Sequence, residues 1–279
     1  MYGTHAKDPE SAYSSAGDLP FDATSPERTV TLRDDRFDFS GLMDAAASCR
    51  RVRARLRLVD RGRLPVSEME WLGQAGADIF SSDEARGDLS ELVLIRKATQ
   101  RGGAAAVFFQ HGPFTEPALT NLPAYETLRE LGRSGIDLHV SDKVHPRDAA
   151  HLGELAYDCR CGCAAFVLYH HGPLQAGHEE LAAQGVWIHL SSREAAFEEN
   201  IQAIADCACA ARRAKTGLVL HIENPIDPQA LADFVASGAV LLFKTPPNDY
   251  RSPRRPFEDA AKAVRLDSRA YYLFTDYVL

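Results

Sequence analysis

Gly-led apolar runs recur along the chain as GADIFSSDE (76–84), GIDLHVSDK (135–143), GVWIHLSSR (185–193) and GAVLLFKTP (238–246). Ahead of each lies a second apolar run: RLRLVDRG (55–62), AVFFQHGP (106–113), FVLYHHGP (166–173) and LVLHIENP (218–225). Helical stretches such as PVSEMEWLGQAG and DPQALADFVASG separate the two runs of a pair. Others, such as DLSELVLIRKATQRGG and AAFEENIQAIADCACAARRAKTG, separate the pairs. A glycine just past a helix, leading into a strand, is the expected helix stop. Eight apolar strands alternating with helices predict an α/β fold with a parallel sheet and right-handed crossovers.

Eight is also the number that closes a (β/α)8 TIM barrel, here with a fourfold (βα)2 pseudo-repeat. An open doubly wound sheet is disfavoured by the regular spacing and by the lack of a Gly-rich dinucleotide loop after the first strand. Residues 29–279 are expected to form one domain, with TVTLRDDRFDFSG and AYYLFTDYVL as additions that cover an open end or edge. Residues 1–28, rich in Ser, Asp, Pro and Gly and without periodicity, read as a tail.

Strand side chains alternate, so each run has two faces. In the Gly-led strands one set is wholly apolar: Ala77/Ile79, Ile136/Leu138/Val140, Val186/Ile188/Leu190 and Ala239/Leu241/Phe243. That set is assigned to the helices, where an unpaired charge would cost several kcal/mol. The other set carries Asp78/Phe80/Ser82, Asp137/His139/Ser141, Trp187/His189/Ser191 and Val240/Leu242/Lys244, and is assigned to the barrel axis. By the same logic Arg57/Val59/Arg61, Val107/Phe109/His111, Val167/Tyr169/His171 and Val219/His221/Glu223 point inward, whereas His170 falls on the outer phase.

The C-terminal mouth would then display Arg61, Glu84, His111, Ser141, Lys143, His171, Ser191, Arg193, Glu223 and Lys244, above His139, His189 and His221. Barrel enzymes place their chemistry at that end. Two chemistries fit these residue types. Glu223 and His171 can exchange protons, with His221 polarising the substrate. Lys244 and Arg193, helped by Arg61, Lys143, Ser141 and Ser191, would hold a small anionic metabolite in lyase or isomerase chemistry. Lys244 could also form a Schiff base. Alternatively His111, His171, His221 and Glu223 ligate a divalent ion, zinc, manganese or iron, in a metal-dependent hydrolase. A barrel kept as a binding or assembly module is the non-enzymatic alternative.

The stretch DYRSPRRPF, with Arg251, Arg254 and Arg255, suits a carboxylate or phosphate. ENPIDPQ and KTPPNDY lack the Gly-rich backbone of a barrel phosphate cup, which lowers a sugar-phosphate reading. Lys143, with His171 and His189 on the next strands, resembles part of the amidohydrolase pattern, in which such a lysine can be carbamylated to bridge two metals. The His-x-His pair and the final Asp of that pattern have VDRG and FKTPP in their places, so membership is not implied.

Composition narrows the partners. A net charge of −8 argues against a nucleic-acid surface. No apolar run reaches the roughly 20 residues of a membrane helix, and no targeting signal is evident, so a cytoplasmic protein is expected. An oligomer is compatible with the sequence. The cysteines of CRCGC (Cys159, Cys161, Cys163) and CAC (Cys207, Cys209) are expected to be reduced, small packed residues.

Overall fold

The computed structural model describes residues 29–114, 125–193, 195, 197–224 and 226–243. In chain order, nine parallel strands alternate with helices. They are β1 (Thr29–Arg33), α1 (Phe39–Arg51), β2 (Arg55–Val59), α2 (Val66–Gln74), β3 (Asp78–Ser82), α3 (Leu89–Gly102) and β4 (Ala106–Gln110). There follow α4 (Tyr125–Arg133), β5 (Asp137–Ser141), α5 (Ala149–Cys161), β6 (Phe166–His170), α6 (Ala176–Ala183) and β7 (Trp187–Ser191). The chain continues with α7 (Ile201–Arg213), β8 (Leu218–Ile222), α8 (Pro228–Ser237) and β9 (Val240–Phe243). This is the strand succession of a (β/α)8 barrel, the class that the repeat predicts. The described residues fall into two compact units, one ending at Val107 and the other starting at Phe108.

One expectation is corrected. TVTLR, read from sequence as part of a covering addition, is β1, and it runs parallel to β2 from the pair Thr29/Arg55 to the pair Arg33/Val59. The predicted first strand is therefore β2. The N-terminal tail, AYYLFTDYVL, Lys244 and the Arg251–Arg255 stretch lie outside the described residues.

The pseudo-repeat is written into the backbone. After α2, α4, α6 and α8 stand Gly76, Gly135, Gly185 and Gly238, with φ of 98°, 88°, 97° and 101°. After α1, α3, α5 and α7 stand Arg53, Gly103, Cys163 and Lys215, with φ of 56°, 70°, 58° and 61°. The first set lies beyond what a side chain readily tolerates, so glycine is required; the second lies in the left-handed region that other residues can occupy at a cost. Aspartates cap α1, α3 and α5, and again α8. Asp38, Asp88, Asp148 and Asp227 each accept a backbone N–H of the first turn of α1, α3, α5 and α8, worth about 1 kcal/mol apiece.

Polar residues at strand starts pin the following strand. The Asp78 carboxylate accepts the Ala105 N–H at 2.8 Å, and Asp137 accepts that of Ala165 at 2.7 Å. In the corresponding place on β7, Trp187 lies against Gly217, where a Cβ would strike the indole.

Neighbouring helices approach closely through glycine. A Cβ at Gly102 would collide with the Gly73 carbonyl, and one at Gly162 with the Gly132 carbonyl. Gly162→Ala is expected to destabilise by about 1–3 kcal/mol through forced separation of α4 from α5. Urea unfolding measures it, and an unchanged midpoint would show that the helices yield without cost.

Among the described side chains the apolar strand set is buried, including Leu56, Leu58, Phe108, Leu138, Leu168, Ile188, Leu220 and Leu241. All six cysteines are free; Cys49, Cys159 and Cys207 are buried, but Cys161 and Cys163, expected to be packed, are exposed at the end of α5. Burial pushes the Cys207 thiol up to about 12. No described helix is long and apolar enough to cross a membrane.

Candidate functional site

In the second unit, strand register puts the mixed residues on one face. His139 pairs with Val167, Tyr169 with His189, His189 with Val219, and Ser191 with His221. Side chains on that face link across the strands. His139 Nδ1 lies 3.1 Å from the Tyr169 hydroxyl, and His189 Nδ1 lies 3.0 Å from His221 Nε2. The Tyr169 and His189 rings are 4.8 Å apart. All four side chains are fully enclosed.

An imidazole–imidazole hydrogen bond needs one N–H and one lone pair, so at least one of His189 and His221 is neutral. Burial depresses His139 to about 3. Burial, then the neighbouring His221 and His139, depress His189 well below its ordinary value. His139 and His189 are therefore neutral at physiological pH and are not themselves proton exchangers there.

Glu223 follows these rings on the strand phase of His221. Its side chain is only 7% exposed, yet it meets Arg193, whose side chain is 67% exposed, at 3.1 Å. The Ser191 hydroxyl donates to the other carboxylate oxygen at 2.9 Å. The Ser192 hydroxyl accepts the Glu223 N–H at 2.8 Å and the Asn224 N–H at 3.2 Å. The Ser191-Ser192-Arg193 step after β7 thus fixes both the carboxylate and its backbone. A hydrogen-bonded carboxylate, one edge toward a solvent-facing guanidinium, is equipped for proton transfer beside a bound anion.

The other sequence-derived residues lie as follows. His171 is half-buried just past β6, and its N–H donates to Asp142 Oδ1 at 2.8 Å. The His111 ring lies 4.2 Å from that of Phe109, tilted by 56°. Ser141 ends β5, and its hydroxyl accepts the N–H of exposed Lys143 at 3.2 Å. Arg61 belongs to the first unit, where its N–H donates to Asp34 Oδ1 at 2.8 Å.

Two clusters are not anticipated by the sequence. In the first unit the Asp34 carboxylate accepts the N–H groups of Arg61, Arg63 and Leu64. Nearby, Arg86 binds Asp60, the Leu64 carbonyl and Glu91, and the Ser81 hydroxyl donates to Asp60. Burial, followed by the charge of Asp60, raises the Asp34 carboxyl, while hydrogen bonds from the loop oppose it. This network organises loops after β1, β2 and β3.

In the second unit Asp142, His170 and His178 bring potential ligand atoms within 4.8 Å of one another. Among the described residues no other such group of His, Cys, Asp or Glu occurs, so His111, His171, His221 and Glu223 do not form one. Strand alternation points His170 to the helix side and leaves His178 on a helix, so neither stands out from the sequence. A hollow of about 640 Å³ in the first unit is lined by Arg50, Arg53, Arg55 and Cys49 among others, with no carboxylate or histidine in its lining.

No protein-family model and no curated protein matches the chain. Among solved structures it is similar to a mandelate racemase/muconate lactonizing protein from Herpetosiphon aurantiacus, at 14% identity and a TM-score of 0.39. That match covers 78% of this chain and 53% of the other, so the chain spans about half the length of that protein. It is also similar to deoxyribose phosphate aldolase from Aeropyrum pernix, at 12% identity, 85% and 91% coverage and a TM-score of 0.33. A further likeness is to 3-dehydroquinate dehydratase from Enterococcus faecalis, at 10% identity, 81% and 91% coverage and a TM-score of 0.34. Likenesses this distant carry no argument about chemistry, which rests on the residues themselves.

Proposed function

We propose that the chain is an enzyme of lyase or isomerase type acting on a small anionic metabolite, with its chemistry at the C-terminal ends of β6 to β8. Glu223 is the proton-transfer group in this reading. Arg193 holds the substrate's negative charge as it develops, and Ser191 keeps the carboxylate in register. His171 is the second proton-exchanging group, and Lys244 a further cation. His221, bonded to His189, supports the floor of the site. The observation that carries the reading is the enclosed Glu223 carboxylate, held between the Ser191 hydroxyl and the solvent-facing Arg193 guanidinium.

Abstraction of a carbon-bound proton leaves a signature that can be read whatever the product turns out to be. Purified protein in D2O, incubated with a panel of small carboxylates and phosphate esters, is expected to wash deuterium into at least one compound, detected by proton NMR. Glu223→Gln preserves shape and should lower that exchange by about 10²–10⁴-fold, the usual contribution of a positioned acid or base. Undiminished exchange in a folded Glu223→Gln protein would remove Glu223 from the mechanism.

A further inference from the structure

Asp142 follows β5, His170 is the last residue of β6, and His178 lies in the first turn of α6. The His170 and His178 rings lie against each other, tilted by 43°, with centroids 4.0 Å apart. Asp142 Oδ2 lies 2.5 Å from His170 Nδ1, while its Oδ1 is held by the His171 N–H at 2.8 Å. On its far side His170 Nε2 reaches the Pro173 carbonyl at 3.2 Å. The Gln175 N–H donates to His178 Nδ1 at 3.0 Å. Each member is therefore held by backbone of the β6–α6 loop, through His171, Pro173 and Gln175.

We propose that Asp142, His170 and His178 form a binding site for a divalent transition-metal ion of the zinc type. Two imidazoles and a carboxylate are a common zinc ligand set, leaving a position for water or a small ligand. Metal-bound histidines ordinarily send the other ring nitrogen to a carbonyl or carboxylate; His170 has the Pro173 carbonyl in that place. Gln175 backbone holds the His178 ring at Nδ1, 3.0 Å from its N and 3.3 Å from its carbonyl oxygen, and the tautomer that donates to that carbonyl offers Nε2 to an ion. Closing around an ion requires Asp142 Oδ2 and His170 Nδ1 to part from 2.5 Å by about 0.8 Å, since tetrahedral ligands about 2.0–2.1 Å from zinc stand about 3.3 Å apart. His170 lies on the opposite strand phase from Tyr169 and His171, so the site is separate in origin from the Glu223 pocket and does not depend on the proposed reaction.

The test uses the full chain, stripped of metal with a chelator and titrated with Zn2+ by calorimetry and with Co2+ by visible absorption. The expected result is one equivalent of Zn2+ and a cobalt spectrum of nitrogen and oxygen ligands. It should lack the thiolate charge-transfer band that exposed Cys161 and Cys163 would produce. His178→Ala and Asp142→Asn should each weaken binding by more than about tenfold, and a Cys161→Ser/Cys163→Ser double variant should not. No saturable binding, a thiolate band, or unchanged affinity in folded His178→Ala would overturn the site. Should both site variants unfold, the wild-type cobalt spectrum decides alone between nitrogen–oxygen and thiolate ligation.

Discussion

Replacing Arg86 by alanine is expected to remove about 3–5 kcal/mol of folding stability, the range for breaking a buried ion pair by deleting one partner. The Arg86 side chain is 5% exposed and that of Asp60 is fully enclosed. Without the guanidinium, Asp60 keeps the Ser81 hydroxyl and the Gly62 N–H, but its charge is left beside that of Asp34. The Leu64 carbonyl loses its donor as well. The loops after β1 and β2 are arranged around these carboxylates, so the loss should reach the whole first unit.

Arg86→Met, which restores much of the volume, should recover little. Adding Asp60→Asn should recover a large part, because the residual cost comes from the stranded charge. Urea unfolding of the three variants measures this. A loss below about 1 kcal/mol for Arg86→Ala would place the pair in the same class as a surface ion pair.

The second large effect is on pH. Between pH 6.5 and 5, stability is expected to fall by on the order of 3 kcal/mol per pH unit, the slope for two imidazoles that stay neutral when folded. The sign follows from which state binds the protons. His139 and His189 are depressed in the native chain, His139 to about 3, so below 6.5 only the unfolded chain takes up their protons. Their stabilisation is complete above 6.5 and is lost as pH falls toward the native values. His178 is also depressed, by burial first and His170 second, and adds to the loss.

His170 runs the other way. Burial opposes its proton, but the hydrogen bond and charge of Asp142 outweigh burial and raise it. Its stabilisation is present below 6.5 and disappears as pH rises through the raised native value. It therefore does not offset the acid loss; it trims stability on the alkaline side. Chemical denaturation at half-unit intervals of pH traces both limbs, and a curve flat from 6.5 to 5 would contradict two buried neutral rings.

Strand phase and helix stops are legible in the sequence because they depend on local rules. Gly76, Gly135, Gly185 and Gly238 stand where the chain needs φ near 90–100°. His139, Tyr169, His189 and His221 share a face because alternation is obligatory in a strand. β1 escapes such a reading because TVTLR lacks the leading glycine and runs straight into DDR, so its pairing with β2 has no local signal. Alternation also cannot tell how a polar side chain is used. His189 and His221 turn nitrogen atoms toward each other, whereas Glu223 turns to Ser191 and Arg193.

The Asp142–His170–His178 group is hidden for a different reason. The outer phase is normally apolar, and only the return of the chain into α6 brings His178 against His170. Asp34, Asp60 and Arg86 sit on loops, where spacing predicts no partner; their network depends on three strands being side by side.

Nitrogen-15 NMR of the histidine rings tests most directly whether strand phase gathers imidazoles into a sealed, uncharged interior beneath Glu223. From pH 7 to 5, His139 and His189 should each keep one protonated and one lone-pair nitrogen. Titration of His139 or His189 with a midpoint near 6.5 would mean that those rings meet solvent, and the interior described above would not exist.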